Sequence, residues 1–176
     1  KERKANDLYD SINYDLFNGK YNRSDIKLAV ISSLYGQREF ILMKRLNLNK
    51  SDAKDFIDKI TTMFDKRKMI DQIKLDYSKN KYITNHYGRH IQLDELSEHM
   101  FINSYTQSTA ADVSTLGFSK LVASFDPKKC RPLFLIHDAI LIDCHNSIID
   151  EIMSQNSVSV FGFNQPFAIK PELLDS

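Results

Sequence analysis

The sequence has 176 residues, 42% of them hydrophobic, with only four Pro and five Gly, which marks an ordered globular chain with room for one domain or two small subdomains. No apolar run approaches bilayer-spanning length and no signal-peptide pattern opens the chain, so the reading excludes a membrane-spanning helix. The net charge of +1 hides an asymmetry: residues 1–89 hold 19 Lys/Arg against 12 Asp/Glu, and residues 90–176 hold 5 against 11. A basic half suits a polyanion and an acidic half suits cations, although solvated lysine-rich helix faces give the same count.

The first ninety residues read mostly as helices. Asn6 or Asp7 can cap a helix to about Phe17, with Leu8, Ile12 and Leu16 on one face, and Asn18-Gly19 ends it. Asn22 or Ser24 starts a second helix to Tyr35, where Gly36 can take the left-handed conformation that closes it. A third spans Phe40 to Leu46, and a fourth opens at Ser51-Asp52 and buries Phe56, Ile60 and Phe64. Residues 81–92 read as a small ribbon turning near Tyr87-Gly88, followed by a long helix from about Leu93 to Phe125. Leu133–Ile136 and Ala139–Ile142, two apolar runs around His137-Asp138, predict a buried hairpin with its tip presented to a ligand. A short helix near Ile148–Met153 and a strand around Phe167–Ile169 close the chain. The two cysteines, Cys130 and Cys144, lack metal-ligand spacing and are too few for a disulfide framework, so a reducing, intracellular setting is the default. The chain opens on Lys1 rather than Met, which fits a fragment or a processed product.

Three constellations bear on chemistry. Arg23, Lys27 and Tyr35 fall within an arc of about 120° on the second helix, a row that can hold a triphosphate and then present a ring to a base. An exposed basic helix face is the plainer account of the same spacing. Asp138, at the junction of two apolar strands, is costly unless a cation or donor meets it, and magnesium is a natural partner; an ordinary turn aspartate explains it as well. His99, Asn103 and Gln107 recur at four-residue steps, and amides so placed can read minor-groove acceptors common to all base pairs, or form a polar seam between helices.

In this order, these constellations resemble the family A DNA polymerases, the group of the bacterial Klenow fragment and many phage replicases. Arg23-x3-Lys27-x7-Tyr35-Gly36 resembles that family's fingers motif, and Leu133 to Ile142 around His137-Asp138 its palm hairpin. Gln107-Ser108-Thr109-Ala110-Ala111-Asp112 is similar to its Gln-Gly-Thr-Ala-Ala-Asp run, with Asn103 at the matching upstream place and Gly88-Arg89 in the matching ribbon. The resemblance runs from about Asp7 to Ile142 and implies an α/β (α+β) fold, with helical fingers over residues 1–80 and a C-terminal palm portion, an incomplete antiparallel sheet with a catalytic hairpin, over 81–176. It implies nucleotide contacts by Arg23, Lys27, Ile31 and Tyr35, and primer–template DNA contacts by Tyr35, Gly36, Arg89, His99, Asn103 and Gln107. His137 would lie near the primer terminus and Asp138 would bind one of two Mg²⁺ ions, with deoxynucleotides (dNTP) as substrate. The expected setting is the cytoplasm of a bacterial or phage-infected cell.

The sequence also departs from the family pattern. Ala139 stands where a Glu follows His-Asp, His99 where Arg is usual, Ile31 for a phenylalanine and Tyr9 for a His. Single-subunit RNA polymerases share the Tyr and the His-Asp without Glu, so an RNA-making relative and a degenerate nucleic-acid-binding module stay as alternatives. The family's upstream metal-binding aspartate (motif A) has no counterpart in residues 1–6, and Asp76-Tyr77-Ser78 reads as a polar connector. An upstream part or partner chain with that aspartate and a thumb is therefore implied, with poor solubility and no activity for this chain alone.

Overall fold

Short polar side chains start three helices of the N-terminal half. The computed structural model describes residues 7–36, 39–136 and 138–174. Asp7 caps α1 (Leu8–Phe17), its Oδ1 accepting the N–H groups of Tyr9 at 2.9 Å and Asp10 at 3.1 Å; Asn6 lies outside the described residues. Asn22 caps α2 (Arg23–Leu34) by accepting the Asp25 N–H at 2.9 Å. After α3 (Glu39–Leu46), α4 (Lys50–Met63) is capped by Asn49, not at Ser51-Asp52. Asn49 accepts the Asp52 N–H at 2.9 Å and donates back to the Asp52 carboxylate at 3.0 Å, a reciprocal closure that places Asp52 inside the first turn. The same Asn-x-x-Asp spacing opens α2.

The chain divides into two units. The first takes the described residues up to Thr84 together with His90–Tyr105, and the second takes Asn85–Arg89 and Thr106 onward. In the first, Ile12, Ile26, Ala29, Val30, Leu42, Phe56 and Ile60 form one core. Phe56 stacks on Phe17 with centroids 4.2 Å apart, and Tyr21 meets Phe56 edge-on. Buried Asn13 holds the loop between α1 and α2, accepting the Tyr21 N–H at 3.2 Å and donating to the Tyr21 carbonyl. Leu8, expected on the buried face of α1, is exposed, and Ile12 carries that contact.

Asp76-Tyr77-Ser78 belongs to a helix, α5 (Lys66–Asn80), and is no connector. Ile73 and Tyr77, four residues apart, pack with Ile83 and Phe101, while Lys74 and Lys79 face water. The ribbon β1 (Ile83–Thr84) and β2 (His90–Ile91) pairs antiparallel as read from the sequence. The long helix α6 (Glu98–Ala123) starts later than Leu93, because the Ser97 carbonyl accepts its first bond, from Phe101 N–H at 3.0 Å. Leu93 packs from the preceding loop instead.

In the second unit the rest of α6 packs with β3 (Cys130–Ile136), β4 (Ala139–Cys144), a 3₁₀ turn (Asn146–Ile148) and α7 (Ile149–Met153). A small ribbon, β5 (Ser157–Val158) with β6 (Phe167–Ala168), follows; β5 went unread in the sequence. Gly117 lets this ribbon approach α6: a Cβ there would stand 3.1 Å from the Val160 side chain. The β3–β4 hairpin forms, but it is not buried. Its base packs on Phe125, Ile148 and Ile152, whereas Leu133, Phe134 and Ile136 are 50%, 51% and 52% exposed. A two-stranded sheet offers two faces, and the described residues bury only the base of one. No helix of the described residues is long and apolar enough to cross a membrane.

Replacing Phe56 by Ala removes the ring that joins α4 to Phe17 and Tyr21. A loss of about 3–5 kcal/mol is expected, read as a fall in the urea midpoint of unfolding.

Candidate functional site

The buried side of α2 fixes what its other side shows. Ile26, Ala29, Val30 and Ser33 are withdrawn from water, so Arg23, Lys27 and Ile31, at four-residue steps, form an exposed row. Tyr35 is half-buried at the helix C-cap, its N–H bonded to the Ile31 carbonyl, and Gly36 follows with φ +79°. That φ, rather than lack of space, calls for glycine; an added Cβ would meet the His99 Cβ at an ordinary 3.6 Å. The end of α2 thus lies against the start of α6. Lys66 closes the same helix end by donating from Nζ to the Ser33 carbonyl at 2.9 Å. Burial pulls the Lys66 ammonium below its ordinary value, partly opposed by the charge of Glu98.

Arg23 has a partner that helical spacing does not reveal. Its Nε donates to Asp7 Oδ2 at 2.7 Å and its Nη2 lies 2.6 Å from the same oxygen, with the guanidinium 5.5 Å from the Tyr9 ring centroid. Asp7 therefore caps α1 with one oxygen and binds Arg23 with the other. The Arg23 hydrogen bond, helped by the two backbone donors, holds the Asp7 carboxyl below the usual range against a desolvation that works the other way. Any phosphate that docks on Arg23 competes with this carboxylate.

On α6, His99 and Asn103 fall in the first unit and Gln107 in the second. His99 is exposed, with Nε2 3.4 Å from Ser97 Oγ; Asn103 is half-buried and Gln107 exposed. Arg89 lies at the tip of the first ribbon, and the structure engages its guanidinium with Asp112. Asp112 is buried and also accepts from Asn85 Nδ2 at 2.6 Å. The Asn85 Oδ1 accepts the N–H groups of Tyr87 and Arg89, both at 3.0 Å, and His86 N–H reaches Thr109 Oγ1 at 3.3 Å. The ribbon tip and the Thr-Ala-Ala-Asp run are thus two sides of one buried polar network. Sequence reasoning matched each separately and missed Asn85, whose only signal was an Asx-type turn before Gly88.

Asp138 sits exposed in the turn between β3 and β4, and His137 lies outside the described residues. The hairpin's other carboxylate, Asp143, is 2.8 Å from the Arg131 guanidinium. Among the described residues no three His, Cys, Asp or Glu gather where they could hold a metal ion. A lone turn carboxylate fits Mg²⁺ as one hard oxygen ligand, a share that suffices only when phosphates, waters or a further acid complete the shell.

The sequence and the fold each have relatives among known proteins. The sequence profile of DNA polymerase family A matches residues 3–161, and the chain belongs to that family. It is similar to DNA polymerase I of Borreliella burgdorferi (strain ATCC 35210 / DSM 4680 / CIP 102532 / B31), with 29% identity over 123 residues. That alignment takes in 62% of this chain and 14% of the relative. The fold is similar to the POL domain of Pol1 from M. smegmatis, solved in complex with DNA primer-template and dNTP. The TM-score is 0.62 at 20% identity, over 83% of this chain and 29% of that one. The chain therefore spans less than a third of the length of either.

The Asp7–Arg23 pair has a pH signature. Because the folded carboxyl titrates below its unfolded value, its contribution to stability is complete above the ordinary carboxylate range and fades as pH falls through the lowered value. Asp7→Asn keeps a capping side chain but loses the charge. The wild type should exceed it in urea midpoint at neutral pH, and the two should converge in acid, where Arg23 stays charged.

Proposed function

We propose that the chain is the fingers and C-terminal palm part of a template-directed DNA polymerase, adding deoxynucleotides to a primer 3′ end. Beside family membership, one observation carries the reading: an exposed row of Arg23, Lys27 and Ile31 on a helix whose opposite side is buried, ending in Tyr35 and Gly36 beside His99. Cations on a water-facing helix can take up the phosphates of an incoming nucleotide and steady charge on departing pyrophosphate. Since Asp7 engages Arg23, Lys27 carries the larger share. Tyr35, held at the helix end, offers its ring to the nascent base pair. Asn103 and Gln107 would touch minor-groove acceptors without sequence preference. Arg89 would serve the DNA from its place on Asp112, and His137 would lie near the primer terminus.

Asp138 would hold Mg²⁺ together with an aspartate from an upstream part of the protein or a partner chain, which would also bring the thumb. Bound Mg²⁺ ions supply stabilisation of the attacking and leaving oxygens. Alone, the chain should not extend a primer. Two facts support this assignment: the half-exposed apolar strand Leu133–Ile136, which a further element would cover, and the primer-template and dNTP bound by the structurally similar Pol1 domain.

The test joins this chain to the remaining portion of a family A polymerase and follows primer extension with Mg²⁺. Lys27→Ala should lower turnover by about 10²-fold, as loss of one transition-state donor does. Asp138→Ala and removal of Mg²⁺ by chelation should each abolish extension. Activity that survives Asp138→Ala would sink the metal role, and primer-independent ribonucleotide incorporation would move the chain to the RNA polymerase branch. DNA binding with no extension under any pairing would make it a non-catalytic module, the reading that Ala139 and His99 favour.

A further inference from the structure

Cys130 and Cys144, too few to suggest a framework from sequence, are paired by the fold. They stand opposite each other in the β3–β4 register, and both pack in the same core cluster with Phe125 and Ile148. Neither is in a disulfide. The next pair out, Arg131 and Asp143, meets across the strands at 2.8 Å on the outer face, so the alternation of a strand turns the two cysteines together to the inner face. One step the other way, His145 N–H donates to the Lys129 carbonyl at 2.8 Å. Hydrogen-bonded and open pairs alternate along an antiparallel ladder, which makes Cys130–Cys144 an open pair. Pro132, two residues on opposite Ile142, fits the same phase, since it has no N–H to give. Open pairs bring Cα atoms to about 4.5 Å, within the range that a disulfide spans.

We propose that Cys130 and Cys144 are an oxidative modification site, joined by a cross-strand disulfide at the base of the hairpin whose turn carries Asp138. The oxidant is a small-molecule disulfide. The half-buried Cys144, as thiolate, attacks one sulfur of the reagent, breaking its S–S bond and expelling a thiolate. Cys130 then loses its proton to solvent and attacks Cys144 Sγ, forming the protein disulfide and releasing the second reagent thiolate. Two protein thiols are oxidised, one reagent disulfide becomes two thiols, and the two protons given up match the two taken by the leaving groups. Burial, with the charges of Cys144 and Asp143, pushes the Cys130 thiol up, and Cys144 is also the more exposed of the two, so Cys144 is the thiol that meets the reagent first. The site is independent of the polymerase reading, because its readout is covalent and needs neither nucleotide nor DNA.

The experiment treats the folded chain with oxidised glutathione, blocks remaining thiols and maps the products by mass spectrometry. The wild type should lose the mass of two hydrogens and yield a Cys130–Cys144 linked peptide, reversed by dithiothreitol. The link should form roughly tenfold or more faster in the folded chain than in urea, because the fold holds the two thiols together. Cys130→Ser should stop at glutathione bound to Cys144, and Cys144→Ser should react slowly or not at all. A wild type that stops at the mixed disulfide, forms only interchain dimers, or closes the link no faster folded than unfolded overturns the proposal. The wild-type comparison stands even if a variant fails to fold.

Discussion

A carboxylate withdrawn from water must be met by donors, and Asp112 is met from two sides, by the Asn85 amide and the Arg89 guanidinium. Asn85 in turn spends its own oxygen on the N–H groups of Tyr87 and Arg89, so the ribbon tip is shaped by the residue that satisfies the acid. Tyr87 then donates from its hydroxyl to the Phe161 carbonyl at 2.7 Å, and His86 packs against Phe163. The C-terminal tail is placed by contacts that begin with this one buried charge. That is why residues 85–89 count with the second unit while the strands on either side of them count with the first.

The cationic row on α2 depends on a different economy of burial. One side of the helix is small and apolar enough to lie against α1 and α4, and whatever remains must face water. Two of the four exposed positions are cationic, Arg23 and Lys27 beside Ser24 and Ile31, and the first of them already carries a counter-charge. A phosphate docking there would meet one open contact and one that must be exchanged, so the acid at the start of α1 belongs to the same local electrostatics as the bases on α2.

Local signals were legible and long-range ones were not. Asp7, Asn22 and Gly36 announced helix ends because capping and left-handed backbone depend on neighbours a few residues away. The two ribbons around Tyr87-Gly88 and His137-Asp138 were legible for the same reason. Asn49 was overlooked although Asn-x-x-Asp occurs twice, and the lysines of α5 masked the Ile73–Tyr77 face that makes it a helix. The burial of the hairpin was misjudged, since apolar residues on a strand report a need for cover and not whether this chain supplies it. The Asp7–Arg23 and Asn85–Asp112 contacts join residues 16 and 27 apart, which no periodicity encodes.

The pairing of β3 with β4 shifts register between Pro132 and Phe134, leaving one more residue on β3 than on β4. Such an insertion bends the strand and sharpens its twist, and it resets which side chains share a face beyond it. The hairpin is therefore two short ribbons in series, a base whose orientation is set by the core and a tip whose orientation is set by a single extra residue. Asp138 lies in the turn that ends the tip. A chain lacking Leu133 would keep the same turn sequence and the same base, yet would lose the bend and the added twist that the extra residue puts between them.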